Sequence, residues 1–237
     1  MEKKGRVYLI PTTLGDTEPL EVLPLSVKKH IERITHFIVE NEKSARRFIK
    51  RISPKKLQAS LTIYLLDKYT EDFETRNYLD VCMQGEDVGV LSEAGVPGIA
   101  DPGAVIVKLA HQLKIQVVPL VGPSSILMAM MASGLNGQNF AFNGYLPIDD
   151  LDRKRAIKSL EKKSKELNQS QIFIETPYRN MKMFESLLKS LTPLTQLCVA
   201  ADISLATEYI RTASISSWKG MKPDLHKRPC IFIIQKP

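Results

Sequence analysis

The sequence predicts an α/β protein of two domains, and three observations support this prediction. Through the first half of the chain, short runs rich in Val, Ile and Leu alternate with helix-length segments, which is typical of a mostly parallel sheet covered on both faces. In the second half several such runs follow one another closely, which favours a mixed sheet. Pro119, Gly122 and Pro123 interrupt the chain between the halves, so we expect domains over residues 1–119 and 120–237.

Each domain is expected to contain five strands. In the first domain the apolar runs predict strands over 6–12, 36–40, 61–66, 87–91 and 115–119. In the second they predict strands over 139–143, 171–175, 196–202, 208–214 and 229–235. Helices are expected over 104–113, 150–167 and 179–191, where apolar residues recur at helical spacing or fill the long gaps between strands.

Composition limits the class of protein. The 237 residues are 43% apolar, so a sizeable core can form without disulfides. Cys82, Cys198 and Cys230 form no CxxC pair, and the four histidines have no ligand spacing, so neither a disulfide framework nor a metal site is expected. The longest apolar run, 126–132, is far short of the ~18 residues of a membrane span. We therefore expect a cytoplasmic protein without a membrane segment or metal.

The net charge of +7 is concentrated in one segment. Residues 43–56 contain seven cations and no acid. At helical spacing, one face of this segment carries the cations Lys43, Arg46, Arg47, Lys50 and Arg51. The opposite face would bury the apolar residues Ala45, Phe48, Ile49 and Ile52. A basic helix over 43–56 is therefore expected to bind phosphates, most commonly those of nucleic acid, although a solvated face is an equal alternative.

The segment LSEAGVPGIADPG, residues 91–103, is the strongest candidate for a ligand loop. It follows an apolar strand and contains Gly95, Pro97, Gly98 and Gly103. Such a loop presents backbone N–H and C=O groups at the carboxyl edge of a sheet, where α/β proteins bind small ligands. The GxGxxG, GxxxxGK[ST], GxSxG and HExxH signatures are absent, so dinucleotide, P-loop, esterase and zincin chemistry is not indicated.

Four motifs occur in the order seen in the tetrapyrrole methylase superfamily. They are VYLIPTTLGD from residue 7, LSEAGVPGIADPG from residue 91, VVPLVGPSSIL from residue 117 and FIETPYR from residue 173. The chain most resembles the branch of bacterial small-subunit rRNA (cytidine 2′-O) methyltransferases. The resemblance spans nearly the whole chain and implies a homodimeric enzyme that methylates a ribose of rRNA. It also implies that S-adenosylmethionine binds in a cleft between the domains.

The same resemblance implies a set of cofactor-binding residues. They are Pro11, Ser92, Glu93, Gly95, Val96, Ala100, Asp101, Pro123, Ser124 and Ser125. Most of them lie in Gly- and Pro-containing loops, where backbone donors and acceptors can hold an amino-acid tail and a nucleoside.

Methyl transfer to a ribose hydroxyl benefits from a base that removes the proton. Glu175, at the end of a predicted strand, is the leading candidate, with Arg179 placed to hold a phosphate or orient the carboxylate. A purely structural ion pair between the two is an equal alternative. Glu40, which follows the second predicted strand, is the next candidate.

Several acceptor-side positions depart from the branch. Where it usually carries AEDTRxTRKL, residues 39–48 read VENEKSARRF, which keeps Glu40 and Arg46 but loses acidic and hydroxyl partners. The usual histidine of FIETPYR is Tyr178 here. Two alternatives therefore stay open: methylation of a tetrapyrrole or another small molecule, and a non-catalytic RNA-binding factor with the same fold.

Overall fold

The computed structural model describes residues 4–66, 70 and 74–237. These residues form two compact units, the first reaching Ser124 and the second beginning at Ser125. The division lies within the GPSS segment, between Ser124 and Ser125, whereas the domain boundary expected from the sequence follows Pro119.

The first unit is built on a five-stranded parallel sheet, as predicted. Its strands are β1 (Arg6–Ile10), β2 (His36–Val39), β3 (Thr62–Leu65), β4 (Val88–Leu91) and β5 (Gln116–Pro119). Their order is β3-β2-β4-β1-β5, and every neighbouring pair runs parallel. All five carboxyl ends therefore meet at one edge of the sheet.

Helices of the first unit cover both faces of this sheet. They are α1 (Pro19–Val22), α2 (Leu25–Arg33), α3 (Glu42–Ile52), α4 (Asp80–Met83) and α5 (Ala104–Gln112). Alternate residues of the strands supply two cores. Tyr8 and Phe37 pack with α2 and α3 on one side, and Val7 and Ile38 pack with α4 and α5 on the other. Burial on both faces explains why these strands are almost continuously apolar.

The second unit contains the expected mixed sheet. Its strands are β6 (Phe140–Tyr145), β7 (Ser170–Ile174), β8 (Gln196–Ala201), β9 (Tyr209–Ser214) and β10 (Cys230–Gln235), in the order β6-β7-β10-β8-β9. Strands β6 and β7 run parallel, and the other neighbouring pairs of this sheet are antiparallel. Its helices are α6 (Ser125–Ser133), α7 (Asp150–Leu167), α8 (Asn180–Ser190) and α9 (Ile215–Trp218). The core contains Phe173, Phe184 and the fully buried Trp218, whose indole donates to the Leu197 carbonyl at 2.8 Å.

The basic helix is shorter than predicted. We expected it over 43–56, but α3 ends at Ile52, and Ser53 leaves the helical region with φ −135° and ψ 76°. Pro54 disfavours a helical conformation in the residue before it, which explains the early end. Lys55 and Lys56 therefore lie outside the helix. The buried face is close to the prediction, since Ala45, Ile49 and Ile52 are buried, while Phe48 is only half-buried.

No helix among the described residues is long and apolar enough to cross a membrane. Within the same residues, no group of three or more His, Cys, Asp or Glu side chains is arranged to hold a metal ion. The three cysteines are buried and unpaired with one another.

Candidate active site

Three loops meet at the carboxyl edge of the parallel sheet, because β4, β1 and β5 are neighbours there. We call residues 11–16, 92–103 and 120–124 the edge loops. The Thr12 N–H donates to the Gly95 carbonyl at 2.9 Å, and the Ser92 hydroxyl donates to the same carbonyl at 2.8 Å. The first two edge loops are therefore joined through one carbonyl oxygen.

Close backbone approaches fix the third edge loop against the other two. A Cβ added at Gly122 would lie 2.2 Å from the Pro11 Cβ, so a side chain has no room there. Gly95 has φ +75°, and a Cβ on it would lie 3.0 Å from the Pro123 carbonyl oxygen and from a Leu14 methyl carbon. The fold thus brings together Pro11, Gly95 and Pro123, three of the predicted cofactor-binding residues.

Gly122→Ala is expected to destabilise the first unit by about 1 to 3 kcal/mol, the usual cost of forcing atoms into a packed site. The Pro11 ring is rigid, so the new methyl group can be accommodated only if the backbone moves. Thermal unfolding would measure the loss, with Gly137→Ala as the control because no atom lies within 4 Å of the added Cβ. Equal unfolding temperatures for the two variants would contradict this packing.

Asp101 organises the second edge loop from within. Its carboxylate accepts from the N–H groups of Gly98 and Gly103 at 2.7 to 3.0 Å, which closes the turn around it. Burial raises the pKa of Asp101, and the two backbone hydrogen bonds oppose that rise. Ala100 precedes it with φ 63° and an exposed side chain. The contacts of Asp101 are therefore those of a loop-shaping residue, and its predicted contact with the cofactor stays a prediction.

The other predicted cofactor residues are distributed along the same loops. Glu93 is exposed, Ser92 is buried and Val96 is half-buried. Ser124 is the last residue of the first unit, and Ser125 begins α6 in the second.

A cavity of about 420 Å³ lies between the edge loops and α3. The edge loops contribute Thr12, Ser92 and Glu93 to its lining, and α3 contributes Arg47 and Arg51. Its full lining is Thr12, Thr13, Leu14, Gly15, Asp16, Pro19, Ser44, Ala45, Arg47, Phe48, Arg51, Ser92 and Glu93. This volume is in the range of small-ligand sites, and hydroxyls, carboxylates and guanidinium groups converge on it. The fold therefore places the basic helix beside the edge loops, which the spacing in the sequence did not reveal.

The cations of α3 differ in their availability. Arg51 pairs with Asp16 and Glu18, while Arg46 pairs with Glu42 and donates to the Gln58 carbonyl at 2.7 Å. Lys50 donates to the Pro54 carbonyl. Lys43 and Arg47 have no hydrogen-bond or ion-pair partner among the described residues. The expected stripe of five equivalent cations is thus reduced to Lys43, Arg47 and Lys50, because acids outside residues 43–56 compensate the other two.

Glu40 lies at the same edge, directly after β2. Its carboxylate accepts from the Glu93 N–H at 3.2 Å. Burial raises the pKa of Glu40, the Glu93 hydrogen bond opposes this, and the charges of Asp101 and Glu93 raise the pKa further. Glu40 does not itself line the cavity of about 420 Å³, but its hydrogen-bond partner Glu93 does. A carboxylate with a raised pKa one residue away from such a cavity is a candidate general base.

Glu40→Gln is expected to raise the unfolding midpoint at pH 7. The folded protein holds the Glu40 proton more tightly than the unfolded chain does, so ionisation of Glu40 favours unfolding as the pH rises through the raised pKa. The gain should shrink as the pH falls towards ~4, where the glutamate is also protonated in the unfolded chain. Midpoints measured from pH 4 to 8 would show this. Glu185→Gln, at an exposed position of α8, is the control, and a loss of stability in Glu40→Gln at pH 7 would contradict the prediction.

Glu175 and Arg179 form an ion pair in the second unit. Glu175 follows β7, and its side chain is 2% exposed. Its Oε1 accepts from the Arg179 Nε at 3.0 Å and Nη2 at 2.7 Å, and also from the Thr176 N–H at 2.6 Å. The same pairing raises the pKa of Arg179. Glu175 is therefore already engaged as an acceptor, whereas the Arg179 side chain remains 36% exposed.

The edge loops contain two exposed apolar side chains that the sequence analysis did not identify. Ile99 is 54% exposed and Val121 is 76% exposed, although both are large and aliphatic. Apolar surface beside loop backbone is what a nucleoside with a zwitterionic tail requires, so these loops fit S-adenosylmethionine. Exposure depends on the folded loops, so no periodicity in the sequence indicated it.

Comparisons with known proteins support the predicted resemblance. No protein-family model matches the chain. It is 27% identical over 237 residues to a ribosomal RNA small subunit methyltransferase I from Buchnera aphidicola subsp. Schizaphis graminum, covering 99% of this chain and 79% of the relative. It is 23% identical over 235 residues to the protein of the same name from Escherichia coli O157:H7. This match covers 98% of this chain and 78% of the relative.

Solved structures show the same fold. The methyltransferase CobJ superposes with a TM-score of 0.64 at 16% identity, covering 98% of this chain and all of that one. A uroporphyrin-III C-methyltransferase from Thermus thermophilus, complexed with S-adenosyl homocysteine, gives a TM-score of 0.57 at 16% identity, with 98% of each chain covered. The fold is therefore that of the tetrapyrrole methylases. Within that fold, the curated relatives confirm the resemblance to small-subunit rRNA methyltransferases.

Proposed function

We propose that this chain is an S-adenosylmethionine-dependent methyltransferase whose acceptor is a ribose 2′-hydroxyl of small-subunit rRNA. One observation carries the proposal: the cavity beside the edge loops is lined by Arg47 of α3, which has no ion-pair partner among the described residues. A methyl donor held on the edge loops would then lie next to a cation suited to a phosphate of RNA, with Lys43 and Lys50 on the same helix. The names of the curated relatives support methyl transfer to small-subunit rRNA. The ribose hydroxyl as the acceptor rests on the resemblance to the cytidine 2′-O branch.

The edge loops would hold the cofactor through their backbone and through Ile99 and Val121. When bound, S-adenosylmethionine supplies a methyl group activated by its sulfonium sulfur. Glu40 is the base that we propose, because burial raises its pKa, which strengthens it as a proton acceptor, and because it accepts from the N–H of Glu93, a residue that lines the cavity. It would take the proton of the acceptor hydroxyl as the new C–O bond forms and the C–S bond breaks. Glu175, the first candidate from the sequence, would instead hold Arg179 in position.

Transfer of a labelled methyl group to purified small ribosomal subunits tests this proposal. We expect label in RNA with the wild-type protein and a loss of about 100-fold or more with Glu40→Gln, in the range for removal of a general base. That variant should still bind S-adenosylmethionine. Label in a tetrapyrrole and none in RNA would favour the small-molecule alternative, and no transfer to either would favour the non-catalytic factor.

A homodimer in the cytoplasm is also part of the proposal. On α6, Leu127 is 51% and Met131 is 83% exposed, whereas Met130 of the same helix is buried. These one-turn neighbours offer apolar surface that a second copy could cover. Light scattering is expected to give twice the chain mass of 26.7 kDa, and a mass of one chain would contradict the dimer. The cleft between the domains as the location of the active site likewise stays a prediction.

A further inference from the structure

The second unit exposes two tyrosines near the carboxyl end of its parallel strand pair. Tyr145 ends β6 and is paired in register with Ile174, the last residue of β7. Tyr178 lies in the turn that follows β7. Tyr145 is 59% exposed and Tyr178 is 72% exposed, so both rings present much of their surface to solvent, although tyrosine is on average intermediate in burial.

One cation and one histidine ring lie against the Tyr178 ring. The Lys227 ammonium lies 5.9 Å from the ring centroid, and the His226 ring approaches it edge-on at 6.4 Å. The Lys227 N–H donates to the Pro177 carbonyl at 3.1 Å, which ties the two loops together. Next along the chain from Tyr178 is Arg179, whose pKa is raised mainly by its hydrogen bonds to Glu175 and to a smaller extent by the nearby Tyr145 phenol.

Two of the acids near these tyrosines have cationic partners, while the Asp224 carboxylate accepts from the His226 backbone N–H at 3.2 Å. Glu175 pairs with Arg179, and Asp202 pairs with Arg228 at 2.7 Å. Lys227 therefore contributes positive charge beside an exposed aromatic face. The combination of cations and unstacked aromatic rings is typical of proteins that bind single-stranded nucleic acid, in which bases stack on the rings and cations contact phosphates.

We infer that Tyr145 and Tyr178 form a stacking platform for unpaired bases of the RNA substrate, with Lys227 contacting an adjoining phosphate. The inference rests on the proposed function, since it concerns the RNA acceptor. It extends that function in one respect: the protein selects a single-stranded or bulged segment, because bases within a duplex have no free face for stacking. The tyrosine that replaces the branch's usual histidine at 178 is central to the platform.

The first test measures the affinity of the full chain for a single-stranded RNA oligonucleotide. Tyr178→Ala should weaken binding about 5- to 150-fold, the effect of losing one base–aromatic stack of about 1 to 3 kcal/mol. Tyr178→Phe should bind as the wild type does, since the ring is kept. Phe140→Ala is the matched control, because Phe140 is an exposed aromatic residue at the opposite end of β6 and should have no effect.

The salt dependence separates stacking from charge. Tyr178→Ala should leave the slope of log affinity against log salt unchanged, whereas Lys227→Ala should reduce its magnitude by about 0.7, the value for one phosphate contact on a single strand. The fluorescence of Tyr178→Trp gives a second measurement, and this variant keeps an aromatic ring at position 178. Its emission should be quenched by single-stranded RNA and not by a duplex, while Trp218, 0% exposed, should not respond.

The outcomes distinguish the platform from the proposed function. Wild-type affinity in Tyr178→Ala, or no quenching of Tyr178→Trp by bound RNA, would overturn the platform and leave the methyltransferase proposal intact. If the wild-type protein binds no RNA at all, both the platform and the RNA acceptor are overturned.

Discussion

Gly95→Arg is expected to abolish binding of S-adenosylmethionine, which the wild-type protein should bind at one site per chain in calorimetry. Gly95 adopts φ +75° between the first and third edge loops, and a Cβ added there would lie 3.0 Å from Leu14 and from the Pro123 carbonyl oxygen, closer than an ordinary contact. A large side chain would have to displace Leu14 or Pro123, and would then occupy the surface that we assign to the cofactor. The expected loss exceeds that of any other single substitution proposed above.

A matched control at Gly134 separates the backbone strain of a non-glycine residue at positive φ from the loss of the cofactor surface. Gly134 also has a positive φ, +69°, but no atom lies within 4 Å of an added Cβ. Gly134→Arg carries the same backbone cost in the second unit and should keep cofactor affinity. Full affinity in Gly95→Arg, or failure of the wild type to bind, would contradict the assignment of the edge loops.

Reversing three charges on α3 is expected to remove most of the affinity for RNA. Lys43, Arg47 and Lys50 are the appropriate positions, because Arg46 and Arg51 have ion-pair partners within the chain. Removal of each cation that binds a phosphate should lower the slope of log affinity against log salt by about 0.7 to 0.9. The triple change to Glu should therefore weaken binding strongly at low salt and flatten its dependence on salt. Affinity for S-adenosylmethionine should change little, since the cofactor is not an anion that needs these cations.

The control for this experiment reverses the same number of charges elsewhere. Lys154, Lys158 and Lys163 are exposed on α7 of the second unit, so their change to Glu alters net charge equally. If both triple variants lose the same affinity, the effect comes from overall charge and the α3 surface has no special role. An unchanged salt slope in the α3 variant would make these residues a solvated face and favour a small-molecule acceptor.

Much of the fold could be predicted because burial leaves a strong local signal. Strands such as β4 and β7 are apolar throughout most of their length, and α7 was predicted with the bounds that the structure has. The helices α1, α2, α4 and α9 were not predicted. Three of them are only four residues long, and α2 follows Pro24, so their existence depends on packing against the sheets more than on a periodic pattern. The helix end at Ile52 was missed although Pro54 signals it.

The loops of the candidate site could be predicted from the sequence, but its ion pairs and pKa shifts could not. Glycines and prolines identify the edge loops in the sequence, and the resemblance to known methylases indicated their ligand. The pairing of Arg51 with Asp16 and Glu18 joins residues more than thirty positions apart, and the raised pKa of Glu40 depends on burial and on Glu93 and Asp101. Such contacts arise only when the strands align. For that reason the sequence favoured Glu175 as the base, and the fold shifts our proposal to Glu40.

Nucleoside mass spectrometry of small-subunit rRNA, from cells with and without this protein, tests the central proposal most directly. We expect one 2′-O-methylated nucleoside in cells that contain the protein, its absence in cells that lack it, and its return with the wild-type chain but not with Glu40→Gln. Identical nucleoside profiles in the two kinds of cell would contradict the proposed rRNA methyltransferase.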